Sequence, residues 1–310
     1  MSRLQVCASA LDLIGETPIL QLRSFDRPRA ASIFAKLEFL NPGGSVKDRA
    51  ALGMIQEAEK RGLLRPGSTI VEPTAGNTGI GLALVGTLRG YRVILVVPEK
   101  YSREKKQIMK ALGASLVSTP TEDGMPGAVK KAQEIAAATP GGYLPQQFEN
   151  PANPEIHYRT TAREIWQQMQ GKIDALVLGA GTGGTITGVT RYVKERNPGV
   201  RSVLVESEGS VLGGGTAAPH KVEGIGNSFM PKILDRSLID EVVAVTDRDA
   251  FATVLLLARR EGLLVGGSSG AAAFAAARVA EQIGPGRKIV TLFPDIAERY
   301  VSQGIFDEVQ

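Results

Sequence analysis

The sequence predicts an α/β protein of two lobes, each an open, mainly parallel twisted sheet flanked by helices. Three observations carry this. Short β-branched runs alternate with longer stretches of helical periodicity, which is the pattern of strands joined by crossover helices. Glycine-rich segments sit at the joins between apolar runs and helical patterns, where open α/β sheets place their ligands. Finally, 310 residues with 43% hydrophobic content are enough to bury a sizeable core or two smaller ones.

In chain order, the first β-branched run spans 32–38 and leads into Pro42-Gly43-Gly44-Ser45-Val46-Lys47-Asp48-Arg49, after which a helical period runs over 47–61. A strand at 69–72 precedes a helix at 79–89. The run at 91–97, rich in Val and Ile, is followed by a helix at 103–112, and a short strand at 115–118 by a helix at 126–138 that opens on Pro126. Beyond a loop come a helix at 162–169, a strand at 175–179, a helix at 185–196 and a strand at 201–206. The chain closes with helices at 247–261 and 271–283 and a strand at 288–293. The uncharged stretch 262–277 is interrupted by Gly266-Gly267-Ser268-Ser269-Gly270 and is too short for a membrane span, so it is read as a buried strand, a turn and an alanine-rich helix. The loop from Pro140-Gly141-Gly142 through Asn150-Pro151-Ala152-Asn153-Pro154 marks a lobe boundary, with a second crossing near Asn41-Pro42. The lobes are therefore expected at 42–147 and at 1–41 with 148–310.

Composition excludes several classes of function. Lys and Arg number 36 against 32 Asp and Glu, a net charge of +4 with the signs interspersed, so no basic stripe for nucleic acid is indicated, while small anionic ligands are suited. One cysteine, Cys7, cannot close a disulfide within the chain, and two scattered histidines, His157 and His220, do not make a metal site. The first fifteen residues carry Arg3 and Asp12 without an apolar core, so no secretory signal is read, no membrane association is expected and a cytoplasmic location follows. His157, His220 and Cys7 are assigned to structure or surface.

Four glycine-bearing loops carry the chemistry. In the first, Lys47 stands where a glycine turn meets a helix start, a setting that disfavours the charged amine and suits a lysine that must condense with an aldehyde. A solvated turn lysine fits the local sequence equally well. Gly179-Ala180-Gly181-Thr182-Gly183-Gly184-Thr185 follows an apolar run and opens a helix, the arrangement of a phosphate cradle: converging backbone N–H groups, a favourable helix dipole and threonine hydroxyls. Gly179, Gly181 and Gly184 also satisfy G-x-G-x-x-G, and Glu206 stands where a ribose-binding acid would, so a dinucleotide-dependent dehydrogenase competes at this point. Glu72-Pro73-Thr74-Ala75-Gly76-Asn77-Thr78-Gly79 offers amides for a carboxylate and Asn77 for a ring substituent, or is a capped turn. Glu223-Gly224-Ile225-Gly226-Asn227-Ser228 and Gly266-Gly267-Ser268-Ser269-Gly270 are open both to ligand contact and to ordinary loop and helix-cap roles.

Taken together, Lys47, the 74–78 loop, the 181–185 cradle and the Ser268 turn occur in the order and wording of the fold type II pyridoxal-phosphate enzymes of the cysteine synthase and cystathionine β-synthase group. The chain resembles that group, whose fold is like that of the tryptophan synthase β subunit, from about Ile14-Gly15-Glu16-Thr17-Pro18 to Phe293-Pro294-Asp295. The resemblance implies pyridoxal 5′-phosphate as cofactor, with Lys47 as the lysine that binds its aldehyde and then acts as general base. It implies Gly181, Thr182, Gly183, Gly184 and Thr185 at the phosphate, Asn77 at the ring 3′-oxygen and Ser268 at the pyridine nitrogen. A hydroxyl there keeps the nitrogen unprotonated and the ring a weaker electron sink, which favours loss of the β-substituent. Thr74, Ala75, Gly76, Asn77, Thr78, Gln147 and Gly224 are implied for the amino-acid substrate, and the 42–147 lobe as a smaller, mobile, substrate-side lobe.

The reaction implied is β-replacement through an aminoacrylate: O-acetylserine or serine reacts with homocysteine or sulfide to give cystathionine or cysteine. A cysteine synthase using O-acetylserine and sulfide alone is the alternative. Ala75 stands where much of the family has serine, and Asn227-Ser228 departs from the Ala-Gly-Phe wording associated with sulfide users. The segments His157-Tyr158-Arg159-Thr160-Thr161 and Glu206-Ser207-Glu208-Gly209-Ser210 are more similar to cystathionine β-synthases. The family further implies a homodimer. Effector or haem-linked control is not expected of these 310 residues.

Overall fold

The computed structural model describes residues 6–74, 76–100 and 102–306. In chain order the strands and helices are β1 (Ile19–Gln21), β2 (Ser32–Leu37), α1 (Lys47–Lys60), β3 (Thr69–Pro73), α2 (Asn77–Leu88), β4 (Arg92–Pro98), α3 (Arg103–Ala111), β5 (Ser115–Thr119), α4 (Gly124–Ala138), β6 (Gly142–Tyr143), α5 (Ala152–Arg159), α6 (Thr161–Gln168), β7 (Ala175–Gly179), α7 (Gly184–Lys194), β8 (Arg201–Ser207), β9 (Glu241–Val245), α8 (Asp247–Glu261), α9 (Gly267–Ile283) and β10 (Lys288–Phe293). These form two compact units: Met1–Glu16 with Asn41–Ala152, and Thr17–Leu40 with Asn153–Gln310.

The first unit holds a four-stranded, all-parallel sheet in the order β5-β4-β3-β6. Parallel strands covered by helices are buried on both sides, which is why β4 reads as a continuous apolar run over 93–97 rather than as alternation. Ile70, Val93 and Leu95 join Met54 and Ile55 of α1 and Ile80, Leu82 and Val85 of α2 in one core. Val71 and Val96 pack with Ala128 and Ala132 of α4 in another. The second unit holds a six-stranded sheet in the order β1-β2-β10-β7-β8-β9, parallel except for the antiparallel edge strand β1. Its core gathers Ile33, Val177, Val203, Val205, Ile289 and Phe293 with the alanine-rich face of α9.

Several elements differ from the expectations. The edge strands β1, β6 and β9 and the helix α5 were not read from the sequence. β6 is two residues long and is a strand because β3 offers it a ladder, Thr69 against Gly142 and Ile70 against Tyr143. The strand expected within 262–266 is instead one bridge between Val265 and Ile296. Gly267 to Gly270, read as a turn, form the first turn of α9. Gly270 is small there because α9 crosses α8: a side-chain carbon would lie against the Ala250 carbonyl and 2.7 Å from Val254 Cγ2. Among the described residues no helix is long and apolar enough to cross a membrane.

Candidate cofactor and substrate residues

The first unit carries Lys47, the 74–78 loop and Gln147. Lys47 is the first residue of α1 and is half-buried. Its turn is tied at both ends: the Gly43 N–H donates to Asp48 Oδ2 at 2.6 Å, and the Lys47 N–H donates to Ser45 Oγ at 3.3 Å. Gly44 takes φ +73°, the left-handed conformation that glycine adopts without penalty. From the other side α2 presses on the same turn, since a side-chain carbon on Gly81 would stand 2.7 Å from the Lys47 carbonyl oxygen.

At the carboxyl end of β3, Thr74 is buried and its backbone N–H bonds the Val96 carbonyl, which extends the sheet pairing by one residue. Gly76 is the N-cap of α2, and Asn77 begins that helix. Ala75 lies outside the described residues. The Thr78 hydroxyl donates to Gln147 Oε1 at 2.5 Å with both side chains buried, so the structure brings these two predicted residues together. Beneath them lies a group the sequence reading left without a role: Glu72, fully buried, whose two carboxylate oxygens accept the Gln146 and Gln147 N–H groups at 3.0 and 3.2 Å. Burial pushes its pKa up to about 7, with the two backbone bonds acting against the rise. The signal was present in the sequence, because an acid at the end of a strand apolar on both faces has no route to water and must find donors.

The second unit carries the cradle, Gly224 and Ser268. After β7 the chain turns at Gly183, left-handed at φ +86°, and α7 starts at Gly184. Asn153 Nδ2 donates to Thr182 Oγ1 at 3.2 Å, and Thr185 Oγ1 is 3.2 Å from His157 Nε2, whose other ring nitrogen meets Thr161 Oγ1 at 2.9 Å. Asn227 Nδ2 donates to the Gly181 carbonyl, and the Gly226 N–H bonds the Ala180 carbonyl at 2.9 Å. A side-chain carbon on Gly181 would fall 2.5 Å from the Gly224 carbonyl, and one on Gly224 would stand 3.8 Å from Ser268 Oγ. The cradle, the 224 loop and the start of α9 therefore converge within this unit. His157 is thus structural and buried, as a partner of the cradle; Asn153 and Asn227 are cradle partners the sequence reading did not single out. His220, by contrast, bonds the Val222 carbonyl at 3.0 Å, and Cys7 is exposed. Glu206 accepts the Gly213 N–H at 3.1 Å.

Helix starts test whether these residues suit a phosphorylated aldehyde. Where α3 and α8 begin, Ser102 and Thr246 side chains accept first-turn N–H groups. The N-caps of α2, α7 and α9 are Gly76, Gly183 and Gly266, which bring no side-chain acceptor. A glycine N-cap brings no acceptor of its own to the first turn; in α7, which follows a left-handed turn flanked by two oriented threonines, the Gly184 N–H reaches Thr182 Oγ1 at 3.4 Å and the N–H groups after it suit an external anion. A half-buried lysine at a fixed helix start completes the chemistry that such a group needs. The residues fit.

Comparison with known proteins agrees. The family model described as pyridoxal-phosphate dependent enzyme matches residues 10–295. The chain is 47% identical over 302 residues to the O-acetylserine dependent cystathionine beta-synthase of Bacillus subtilis (strain 168), covering 97% of this chain and 98% of the relative. It is 47% identical over 305 residues to a cysteine synthase of Helicobacter pylori (strain ATCC 700392 / 26695), covering 98% and 100%. The crystal structure of an O-acetylserine dependent cystathionine beta-synthase from Helicobacter pylori superposes with a TM-score of 0.93 at 47% identity, over 98% of this chain and 100% of that one. With the family's description spanning both units, the dinucleotide reading of the 179–184 glycines falls away, and the chain belongs to the pyridoxal-phosphate dependent enzymes, whose cofactor is pyridoxal phosphate.

Proposed function

We propose that this enzyme performs β-replacement on O-acetylserine or serine, with homocysteine or sulfide as nucleophile, and that O-acetylserine with homocysteine is its preferred pair. The observation that carries the reading is the 47% identity, over nearly the whole chain, to an enzyme named for O-acetylserine dependent cystathionine synthesis. Asn227-Ser228 supports it by departing from the wording of sulfide users, and Ala75 by departing from the serine that much of the family has there. The cysteine synthase relative at equal identity supports the second reading, sulfide alone.

Pyridoxal phosphate, when bound, supplies an electron sink for the α-carbon of an amino acid. In this reading Lys47 holds it covalently, Gly181, Thr182, Gly183, Gly184 and Thr185 take its phosphate, Asn77 its ring oxygen and Ser268 its ring nitrogen. Thr74, Ala75, Gly76, Asn77, Thr78 and Gln147 bind the substrate carboxylate, and Gly224 lies against its amino-acid portion. Lys47 Nζ takes the α-proton while acetate or water leaves the β-carbon, and it returns a proton to the α-carbon once sulfur has bonded to the β-carbon. The 42–147 segment is read as the mobile substrate-side lobe, the working form as a cytoplasmic homodimer. Purified protein given each donor with each acceptor, with products identified by mass, tests this. Cystathionine from O-acetylserine and homocysteine at the highest kcat/KM is expected. Cysteine as the sole product would favour the second reading, and no product from any pair would overturn both.

A further inference from the structure

We propose that Glu72 is a positioning residue for the substrate carboxylate, acting through Gln147. The inference rests on the reading of Gln147 as a substrate-binding residue and extends it to a side chain that would touch neither substrate nor cofactor. Glu72 stands at the end of β3, inside the first unit, and engages two successive backbone N–H groups, one on each oxygen. That geometry depends on Gln146, a non-glycine residue held at φ +56°, since a left-handed residue turns consecutive N–H groups to one side. The Gln147 backbone is thereby fixed, and its Oε1 is engaged by the Thr78 hydroxyl at 2.5 Å. The amide nitrogen of Gln147 then forms the end directed away from Thr78, the end that can donate to a carboxylate.

The arrangement asks for a carboxylate in particular. A glutamine at position 72 would accept from one of the two N–H groups and present its own donors to the other, so the 146–147 turn and the Gln147 amide would shift. A side chain kept only to fill the end of the sheet would have no such requirement.

The test is a double-mutant cycle on the holoenzyme with Glu72→Gln, Gln147→Ala and the double variant, read by the absorbance change of the bound cofactor on titration with L-alanine, a non-reacting amino acid. Glu72→Gln should weaken alanine about tenfold, and raise KM for O-acetylserine similarly while kcat stays within about threefold. In the Gln147→Ala background the same change should have no further effect. Glu72→Asp, which keeps a carboxyl group, should recover part of the affinity and serves if Glu72→Gln does not fold. Equal losses in both backgrounds, or unchanged affinity in the position 72 variants, would overturn the inference alone. A wild-type protein that takes up no cofactor, or shows no response to amino acids, would overturn the reading beneath it as well.

Discussion

The Glu72 carboxylate is the residue whose chemistry most directly links stability to pH. Its pKa rises from 4.5 to about 7 on burial. Between those values the folded protein keeps a proton that the unfolded chain releases, so stability falls as pH rises from about 4.5 to about 7, by roughly 3 kcal/mol at most. The neighbouring Tyr143, on β6, is itself raised, chiefly by burial and in part by the Glu72 charge, and stays neutral in this window. Glu72→Gln should flatten that segment of a denaturation profile; an identical slope in the variant would show that another group is responsible. At the cradle, Gly183 combines φ +86° with a would-be side-chain carbon 2.7 Å from Leu234 Cβ. Gly183→Ala must strain the turn and shift Leu234, so pyridoxal phosphate should bind the apoprotein at least about tenfold more weakly in a fluorescence titration.

Helix contacts decide how firmly those residues are held. α1 and α2 meet through Gly81, whose missing side chain admits the Lys47 carbonyl, while α8 and α9 meet through Gly270 against the Ala250 carbonyl. Backbone cannot give way as a side-chain tip can, so Gly81→Ala and Gly270→Ala should each lower stability by about 2 kcal/mol in urea. Both should also alter the absorbance of the bound cofactor, because the Gly81 contact bears on the lysine turn and Gly270 shares the first turn of α9 with Ser268. The helix starts form a second group. Ser102 and Thr246 cap α3 and α8 from within the sequence, whereas α2, α7 and α9 begin on glycine at the segments the sequence singled out for ligands. That contrast emerged only with the fold, because Asn77-Thr78 and Ser268 are themselves ordinary cap residues by type and the helices were expected to begin at 79 and 271 rather than directly after Gly76 and Gly266.

At the scale of the molecule, the alternation of apolar runs with helical periods identified the inner strands because a parallel strand is buried on both faces and leaves an unmistakable stretch of Val, Ile and Leu. Of the edge strands only β5 was legible: β1 and β6 have three and two residues, and they are strands only because β2 and β3 offer a ladder. The helix α5 was hidden by Asn150-Pro151-Ala152-Asn153-Pro154, read as a boundary loop although Asn153 and Pro154 fit the first turn of a helix. Among the candidate site residues, the loops were visible by composition; Glu72 was marked by its place at a strand end although its partners, 74 and 75 positions on, were not, and Asn153, His157 and Asn227, with partners up to 46 positions away, could be found only by folding the chain. The same holds for Lys36, fully buried in β2 and bonded to the Thr17 carbonyl at 2.6 Å, Glu164 at 2.7 Å and Gln168 at 2.9 Å. Lys36→Ala would leave Glu164 without this cation and should lower unfolding stability by about 3 kcal/mol, measured by denaturant titration. The proposed reaction requires one lysine amine to condense with the cofactor's aldehyde. Borohydride reduction of the purified holoenzyme, followed by peptide mass analysis, should place a phosphopyridoxyl group on Lys47 and on no peptide of a Lys47→Ala variant; a label on another lysine, or none, would contradict it.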